Sequence, residues 1–318
     1  MNKEQIFDLF REKPYLISMG APTVCQRYDI DLETYIDARR EWHQIEDVLG
    51  GNQYPLNPYS TNSVPRILIL DIENAPLRAY VWSRWRQNVY DEQMISEWFI
   101  ICWSAKWLFE DTIYSECVTP DEIKREDDSR VLQPLWSLLD VADIVITHNG
   151  ESFDIPKINA RFIVNGFKPP RPYKQIDTLL VARKQFGFSS NKLDSLAKQF
   201  GFDTKLDTSF ELWSDCMDGK QQALDYMQKY NKQDILILEN VYLKLRPFIP
   251  KHPNIGLYLE SSVKVCSTCG SEDIEFCGFQ YTNVGKYAIY RCKKCGAYSR
   301  VRTNCYDKDK RKELLTSI

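Results

Sequence analysis

The 318-residue sequence has no apolar run near the roughly 18 residues that a membrane-spanning helix requires. Its first residues, MNKEQIFDLFREK, carry charges where a secretion signal would have its apolar stretch. These absences predict a protein of the cytoplasm, bacterial or of a virus-infected host, with no membrane partner. In that compartment the 10 cysteines are not expected to form disulfides, which directs attention to metal binding. With 43% hydrophobic and 27% charged residues, the chain has the composition of a folded protein of about two domains.

Charge is distributed unevenly along the chain. Residues 1–60 hold 6 Lys and Arg against 10 Asp and Glu, whereas residues 261–318 hold 11 against 6. A basic C-terminal end on an acidic body is compatible with a nucleic-acid contact. A solvated tail explains the same charge equally well, so charge alone leaves both interpretations open.

Residues 1–49 predict a helical module. Two short helices, a turn and a third helix are typical of a helix-turn-helix, which binds DNA. Because the segment is net acidic, a protein-contact or packing role stays open. Residues 50–65, GGNQYPLNPYSTNSVP, are rich in Gly, Pro, Asn and Ser and predict a linker. The predicted helices cover a first segment in which Ile6, Leu9 and Phe10 recur at helical spacing, residues 21–27, and residues 32–47 with Asp31 as N-cap.

Residues 66–250 predict an α/β domain. The continuous apolar run Ile67–Leu70 indicates a fully buried central strand, and residues 98–108, 112–118 and 144–147 indicate further strands of the same sheet. Helical patterns lie between and after these strands, as in α/β folds. The predicted helices cover residues 132–139, 155–165, 177–186, 193–200 and 220–245.

Acidic side chains follow two of these strands and recur on the last helix. Asp71 and Glu73 stand where the first apolar run ends, and strand alternation puts both on one face. Residues 148–154, HNGESFD, come directly after another buried strand. Tyr230 and Asp234 are one helical turn apart, so a phenol and a carboxylate address the same point.

Together these three segments resemble a known motif set. Asp-x-Glu at 71 and 73, Asn-x3-Phe-Asp at 149–154 and Tyr-x3-Asp at 230–234 are similar, in order and spacing, to the three motifs of DEDDy 3′–5′ exonucleases. The resemblance covers about residues 66–248 and implies the ribonuclease-H-like fold of the proofreading domains of family B DNA polymerases. It also implies two Mg²⁺ or Mn²⁺ ions, since hard divalent cations prefer oxygen ligands and a pair of them clamps both oxygens of a phosphodiester. The implied ligands are Asp71, Glu73, Asp154 and Asp234.

The same resemblance implies roles for the neighbouring residues. Tyr230 orients the attacking water through its hydroxyl, since a phenol with an ordinary pKa near 10 is a better positioner than a base. Asn149 and Phe153 contact the substrate, the amide near sugar or phosphate and the ring against the terminal bases. For Phe153, core packing is the open alternative. His148 lies in the wrong motif for a catalytic histidine and is expected to be structural, and Asp177 is expected to cap a helix rather than to support the metals.

Residues 80–86, YVWSRWR, interleave aromatic side chains with arginine. Such a pattern is typical of surfaces that stack bases and neutralise phosphates. It is also compatible with a loop packed on the sheet, which is what we expect for this segment.

Two Cys-x2-Cys-Gly turns predict a four-cysteine zinc ribbon over residues 251–318, with hairpin strands at 276–281 and 287–291 between them. A closed tetrahedral site of four thiolates is structural rather than catalytic, so one structural Zn²⁺ is expected. Basic and aromatic residues on the hairpin favour a nucleic-acid contact, and protein docking stays open. The predicted zinc ligands are Cys266, Cys269, Cys292 and Cys295, whereas Cys25, Cys102, Cys117 and Cys216 are expected to be packing residues.

The sequence therefore predicts a free-standing, metal-dependent 3′–5′ exonuclease that hydrolyses single-stranded DNA ends. The chain is too short for an attached polymerase, so proofreading or repair would occur in trans, with a DNA polymerase or another replication protein as a candidate partner. RNA stays open as a substrate. The alternative outside enzymes is an inert DNA-binding or scaffold protein, against which the intact set of carboxylates counts.

Overall fold

The chain forms two compact units, Met1–Thr61 and Asn62–Ile318. In the part of the chain that the structure describes, every helix is too short or too polar to span a bilayer. The structure, a computed structural model, describes residues 1–12, 25, 28–39, 64–259 and 261–315.

The first unit begins with a helix, α1, over Lys3–Glu12. Ile6 and Phe10 are fully buried on one side of it, as their helical spacing predicts. Residues 32–39 are also helical, and the ring of Tyr35 packs edge-on against Phe10 with 5.7 Å between centroids. The two helices therefore share a small apolar core.

The predicted cap of the second described helix is confirmed. Thr34 donates its backbone N–H to the Asp31 carboxylate at 2.9 Å, which satisfies one of the free amides of the first turn. The predicted helix over 21–27 (except the helical Cys25), the end of the 32–47 helix with His43, and most of the predicted linker lie outside the described residues. A helix-turn-helix function stays a prediction.

The second unit contains a mixed sheet and a short two-stranded hairpin. Within residues 64–259 the strands are β1 Ile67–Asn74, β2 Arg78–Ala79, β3 Met94–Ser96, β4 Ile100–Trp107, β5 Ile113–Cys117, β6 Ile144–Thr147 and β7 Lys174–Asp177. The large sheet has the order β5-β4-β1-β6-β7, and β2 pairs with β3. β1 is antiparallel to β4 and parallel to β6, which is parallel to β7. The four strands predicted from apolar runs are confirmed, and β7 was not predicted.

β1 is longer than the predicted apolar run. It pairs with β4 as far as Asn74, opposite Ile100, whereas its parallel pairing with β6 ends at Ile69, opposite Ile146. The strand therefore extends past its parallel neighbour, and this extension carries Asp71 and Glu73. The carboxyl ends of β6 and β7 lie at the same edge, because the three strands run parallel.

Helices flank the sheet. They are α2 Pro120–Arg125, α3 Ser129–Val141, α4 Asp154–Val164, α5 Thr178–Gln185, α6 Leu193–Phe200, α7 Phe210–Met217 and α8 Gln221–Leu245. The last of these packs across β1 and β4, and its Leu238 and Val241 share an apolar core with Ile69 and Ile146 of the sheet. Helices predicted from periodicity are confirmed, while α2 and α7 were not predicted. The result is the predicted ribonuclease-H-like α/β arrangement of a central mixed sheet between helices.

The cysteine-containing end follows this domain without a break in packing. Ile255 belongs to the same apolar core, and its N–H donates to the carbonyl of Ser267 at 2.8 Å. Both predicted hairpin strands are confirmed, and a third strand joins them. The elements are β8 Ile274–Thr282, β9 Gly285–Cys292, β10 Tyr298–Arg300 and α9 Lys308–Lys312.

Candidate active site

Three carboxylates converge at the exposed end of β1. Oxygen atoms of Asp71, Glu73 and Asp234 all lie within 4.8 Å of one another. Asp71 and Glu73 share a face because they are two residues apart on a strand. Asp234 approaches from α8, which crosses the strand at this point. The convergence predicted for these residues is present, and we call them the carboxylate cluster.

Asp154 lies beside the carboxylate cluster and is not one of its three members. Its Oδ1 accepts the backbone N–H of Ile72 at 3.2 Å, between the two acidic residues of β1. That amide is available because β1 has passed the end of β6, where a parallel neighbour would otherwise accept it. Asp154 is 2% exposed, and burial raises its pKa to about 7 against the opposing effect of the Ile72 amide.

Helix α8 brings three polar side chains to the cluster. Asp234 and Tyr230 lie on the same face, as the spacing predicts, and the Asn231 side-chain amide donates to Asp71 Oδ2 at 2.7 Å. Asn231 is fully buried, and sequence reasoning gave it no role. The sequence did contain an indication that Asn231 belongs to the site: it stands three residues before Asp234 and therefore lies on the same face of the helix.

A tight turn between β6 and α4 places Asn149 and the residues up to Asp154. Asn149 has the left-handed φ of 76°, and a Cβ on Gly150 would lie 2.2 Å from Thr147 Oγ1, so a side chain has no room there. The buried Asp177 carboxylate accepts the backbone N–H groups of Asn149 at 2.9 Å and Glu151 at 3.2 Å. It also caps α5 through two further amides, which confirms the predicted capping role. Asp177 therefore fixes this turn to the end of β7.

His148 is structural, as predicted. Its ring nitrogens lie 2.9 Å from Thr178 Oγ1 and 3.0 Å from the carbonyl oxygen of Asn191. Burial lowers the pKa of His148 to about 4, against the opposing charge of Asp177. The ring is therefore neutral at physiological pH and holds the loop around Asn191 against α5.

A lysine that the sequence did not indicate lies within the carboxylate cluster. The Lys205 ammonium contacts the Asp234 carboxylate, and it donates to the Tyr230 hydroxyl at 3.1 Å. Burial would lower the pKa of Lys205, but the charges of Asp234 and Asp71 raise it. Lys205 comes from the irregular segment between α6 and α7, where neither periodicity nor a motif points to a site.

The pKa values of the cluster are raised, chiefly by burial and in addition by repulsion between the carboxylates. Burial, and after it the charges of Asp154 and Asp234, raise the pKa of Asp71 well above its ordinary range. Burial and the charge of Asp234 raise the pKa of Glu73 to about 8, and burial raises that of Asp234 against the effect of Lys205. So many buried acids within a few ångströms require a positive charge to be ionised at neutral pH.

The cluster fits a hard divalent cation. Its donor set consists of carboxylate oxygens, which Mg²⁺ and Mn²⁺ prefer. Asp234 Oδ1 is buried and has no hydrogen-bond partner among the described residues, so it has an unused acceptor pointing into the protein. The Lys205 ammonium contacts one oxygen of the cluster, on Asp234, so a cation already binds at that carboxylate. No structural observation selects between Mg²⁺ and Mn²⁺.

An apolar cleft of about 690 Å³ opens beside the cluster, and we call it the aromatic cleft. Phe153 lines it and is 40% exposed, so the alternative of a core-packing Phe153 is wrong. Trp213, also in the lining, packs edge-on against Tyr230 at 6.4 Å between centroids. Lys157 Nζ lies 3.7 Å from the ring centroid of Trp98. The cleft residues are Asn74, Ala75, Pro76, Leu77, Trp98, Phe153, Lys157, Thr208, Ser209, Phe210 and Trp213.

A second pocket, of about 570 Å³, has a different chemistry. Asn149 and Lys205 line it, so it adjoins the carboxylate cluster, and Arg183 and Lys192 add further positive charge. We call it the polar pocket. Its cations and hydroxyl groups match the oxygens of phosphate groups, and the one carboxylate in the lining, Asp194, forms an ion pair with Lys198.

The four predicted zinc ligands come together in the C-terminal ribbon. The sulfur atoms of Cys266, Cys269, Cys292 and Cys295 all lie within 4.8 Å of one another. Each Cys-x2-Cys turn ends in a glycine with a left-handed φ, 74° for Gly270 and 80° for Gly296. These four thiols are compatible with a closed tetrahedral Zn²⁺ site.

The remaining cysteine expectations are largely confirmed. Cys25, Cys102 and Cys216 are buried, and Cys117 is half-buried. For the described cysteines outside the ribbon's four ligands, none belongs to a group that could hold a metal.

The expectation that residues 80–86 pack on the sheet is wrong. Trp82 is 95% exposed and Trp85 is 83% exposed, so neither ring contributes to the core. Sequence alone did not show this, because aromatic content is compatible with burial and with exposure.

A comparison with known protein families agrees with this architecture. Residues 109–246 match a family model described as the RNase_H superfamily. No curated protein matches the chain. A solved structure similar to this one is the family B DNA polymerase of the hyperthermophilic archaeon Pyrobaculum calidifontis, at 15% identity and a TM-score of 0.45. That match covers 58% of this chain and spans only 25% of the polymerase. The fold and the family match support nuclease activity in general.

Proposed function

We propose that the protein is a metal-dependent 3′–5′ exonuclease that hydrolyses phosphodiester bonds at the 3′ end of single-stranded DNA. The observation that carries this proposal is the convergence of Asp71, Glu73 and Asp234 within 4.8 Å, with Asp154 beside them. Each residue belongs to one of the three segments that resemble the DEDDy motifs. Three segments far apart in the chain supply one oxygen-rich centre, as a two-cation phosphodiesterase requires.

When bound, two divalent ions would stabilise the negative charge on the attacking and leaving oxygens. Asp71, Glu73, Asp154 and Asp234 would hold them, and Asp71, at the centre of the group, is the candidate shared ligand. Asn231 fixes the orientation of Asp71 through its 2.7 Å hydrogen bond.

Tyr230 acts as a positioning group rather than a base. Burial and the charge of Asp234 raise its pKa to about 12, so the phenol is neutral at physiological pH. A neutral hydroxyl both donates and accepts, and so it orients a water molecule without removing its proton. The Lys205 ammonium, 3.1 Å from this hydroxyl, offers a positive charge to a phosphate oxygen when it leaves Asp234.

The two cavities beside the cluster support an unpaired nucleic-acid end as the substrate. Bases stack on exposed rings, which the aromatic cleft supplies through Phe153 and Trp98. Phosphates bind cationic side chains, which the polar pocket supplies through Arg183 and Lys192. Asn149 lies in the lining of the polar pocket, which agrees with the predicted place of its amide near sugar or phosphate.

The test is release of nucleotides from a 5′-labelled single-stranded DNA and from an RNA of the same sequence. Reactions contain Mg²⁺, Mn²⁺ or chelator, with the wild type, Asp71→Ala, and Asp225→Ala as an exposed acidic control on the same helix. We expect a DNA ladder that shortens from the 3′ end, disappears with chelator and falls at least about a thousandfold in Asp71→Ala, since a metal contributes several kcal/mol to the barrier.

Two other outcomes would change the proposal in different ways. A ladder on RNA alone would keep the site and make the protein an exoribonuclease. Metal-independent binding of DNA without cleavage of either polymer would favour an inert scaffold and overturn the enzymatic proposal.

The terminal modules are proposed to recruit nucleic acid or a replication partner, with residues 251–318 holding one structural Zn²⁺. The basic balance of residues 261–318 supports a nucleic-acid contact for the ribbon. Separate deletions of residues 1–49 and 261–318, the second of which keeps Ile255 in the core of the main domain, test for nucleic-acid contact when salt-dependent DNA affinity is measured. A deletion that leaves both affinity and salt slope unchanged would exclude nucleic-acid contact by that module and leave protein contact or packing as its role.

A further inference from the structure

The hairpin of β2 and β3 presents large aromatic side chains to solvent. We call residues 78–96 the arm. At its tip Trp82 is 95% exposed, Trp85 83% and Tyr80 75%. Exposing rings of this size is unfavourable in water, and clustered exposed aromatic residues mark interaction sites.

The arm is held by its own hydrogen bonds. Tyr80 and Gln93 face each other across it, with Tyr80 N donating to Gln93 O at 2.9 Å and Gln93 Nε2 donating to Tyr80 O at 2.9 Å. At its base Arg78 donates to Ser96 Oγ at 2.8 Å and forms an ion pair with Glu126 of the main domain. The exposed rings therefore project from a defined hairpin.

The arm has a small net positive charge. Residues 78–96 contain three arginines against two acidic residues, Asp91 and Glu92. Arg84 and Arg86 are exposed, and neither forms an ion pair with any residue in the described part of the chain. Rings that alternate with uncompensated arginines match a polyanion that carries aromatic groups.

The arm begins and ends at the aromatic cleft. Leu77, directly before the arm, and Trp98, just after it, both line that cleft. Phe153 lines the same cleft and directly precedes Asp154 at the carboxylate cluster. The chain of the arm therefore leaves and rejoins the domain at the aromatic cleft, which lies beside the candidate catalytic residues.

We propose that the arm binds unpaired nucleotides of single-stranded DNA on the 5′ side of the bond that is cut. This inference rests on the proposed function, since it takes the 3′ end to lie at the carboxylate cluster. One nucleotide at most lies on the 3′ side of that bond, so all additional length of the strand extends on the 5′ side. Trp82 and Trp85 stack on bases, and Arg84 and Arg86 pair with phosphates. Stacking of this kind is tolerant of sequence, so the arm confers preference for single strands rather than for a sequence.

The first test measures binding by fluorescence anisotropy in the non-cleaving Asp71→Ala background of the full chain. The probes are labelled oligothymidylates of 3 and 15 nucleotides, a 15-base-pair duplex and a 15-nucleotide RNA. We expect the 15-mer to bind more tightly than the 3-mer, and Trp82→Ala with Trp85→Ala to weaken binding of the 15-mer at least about fivefold for each ring removed.

A matched control separates stacking from a general reduction of apolar surface. Ile163→Ala with Val164→Ala removes two apolar side chains that are 77% and 69% exposed outside the arm, and we expect unchanged affinity. An arm variant that binds the 15-mer as tightly as its parent, or no more weakly than this control, overturns the proposal. Because the substituted rings are exposed, thermal unfolding of the arm variant is expected to match that of its parent.

The second test addresses the arginines through salt dependence. Arg84→Ala with Arg86→Ala should reduce the slope of log Kd against log salt by about 0.7 for each phosphate that the variant no longer neutralises. Arg125→Ala, at the exposed end of α2, serves as the control and should leave the slope unchanged. An unchanged slope in the double arginine variant would count against phosphate binding by the arm.

The outcomes distinguish this inference from the proposed function. Arm-dependent binding in a wild-type protein that releases no nucleotides would keep nucleotide binding by the arm, and it would overturn both the exonuclease and the placement of those nucleotides on the 5′ side of a cut bond. Nucleotide release together with arm-independent binding would keep the exonuclease and overturn the inference. Equal weakening of duplex and single-strand affinity in the ring variant would overturn the single-strand preference.

Discussion

Asn231 donates its side-chain amide to Asp71 Oδ2 at 2.7 Å and so connects the longest helix of the domain to its central strand. Because the donor is fully buried, this hydrogen bond fixes the carboxylate in a single orientation. The two residues joined by this hydrogen bond are 160 positions apart in the chain.

We expect Asn231→Ala to weaken binding of Mn²⁺ about 10- to 100-fold, which is the usual effect of removing a partner that orients a metal ligand. Isothermal titration of the metal-free protein with Mn²⁺ measures it, and Lys232→Ala, the next residue on the helix, is the control. Unchanged Mn²⁺ affinity in a folded Asn231→Ala protein would contradict the positioning role.

The metal-free protein should become less stable as the pH rises from about 6.5 to 8. A carboxyl group whose pKa is higher in the folded state binds its proton more tightly there, so its contribution to stability is lost as the pH rises through the folded pKa. Glu73, with a pKa of about 8, and Asp154, with a pKa of about 7, both lose their protons in this window. Metal ions reverse the effect, because they bind the deprotonated groups.

Thermal unfolding at pH 6.5 and pH 8, with chelator and with Mn²⁺, measures this dependence. We expect Tm in chelator to fall by several degrees over this range and the stabilisation by Mn²⁺ to be larger at pH 8. Asp71→Asn, which removes one charge from the cluster, should flatten the fall in chelator. A Tm in chelator that rises toward pH 8 would show that the carboxylates are not mutually destabilising.

Lys205 should stabilise the carboxylate cluster in the absence of metal. We expect Lys205→Met to lower Tm in chelator at pH 8, since the variant leaves buried acids without their positive partner. Addition of Mn²⁺ should raise Tm more in the variant than in the wild type, because the wild-type ammonium competes for the same oxygens. Lys205→Arg keeps the charge and should restore part of the lost stability; equal Mn²⁺ shifts in wild type and Lys205→Met would contradict the competition.

The ribbon should contain one Zn²⁺ per chain and depend on it. Cys266→Ser should lose the zinc and make residues 261–315 sensitive to proteolysis, because structural zinc binding and folding are coupled. Cys277→Ser, an exposed cysteine on the same hairpin, should retain both zinc and protease resistance. Metal analysis of the purified proteins and limited proteolysis provide the two measurements. Full zinc content in Cys266→Ser would remove this residue from the ligand set.

Gly150 should be intolerant of even a methyl group. A Cβ at this position would lie 2.2 Å from Thr147 Oγ1, so Gly150→Ala forces the turn before Asp154 to shift, at a cost of about 1–3 kcal/mol. At Gly187 a Cβ meets nothing within 4 Å, so Gly187→Ala is the matched control and should leave Tm unchanged. Equal Tm values for the two variants would show that the turn adjusts without strain.

Much of the fold was predictable because its elements have strong local signals. The apolar run at 67–70 and the periodicity of residues 220–245 specify a buried strand and a long helix without reference to the rest of the chain. β7 was missed because it has only four residues, and α7 was missed because its composition is mixed. Short elements of this kind form when neighbouring structure stabilises them, so a local pattern does not reveal them.

The sequence by itself determined the chemistry of this protein: the types and order of Asp71, Glu73, Asp154, Tyr230 and Asp234, and the four cysteines of the ribbon. Strand alternation and helical spacing are local geometry, so they were sufficient to place acidic residues on common faces. Only the tertiary structure decided which partners complete the site. Asn231 meets Asp71, and Lys205 meets Asp234, because α8 and an irregular segment are packed over the end of β1. The tertiary structure also decided that Trp82 and Trp85 are exposed, because a ring is buried only where other parts of the chain cover it.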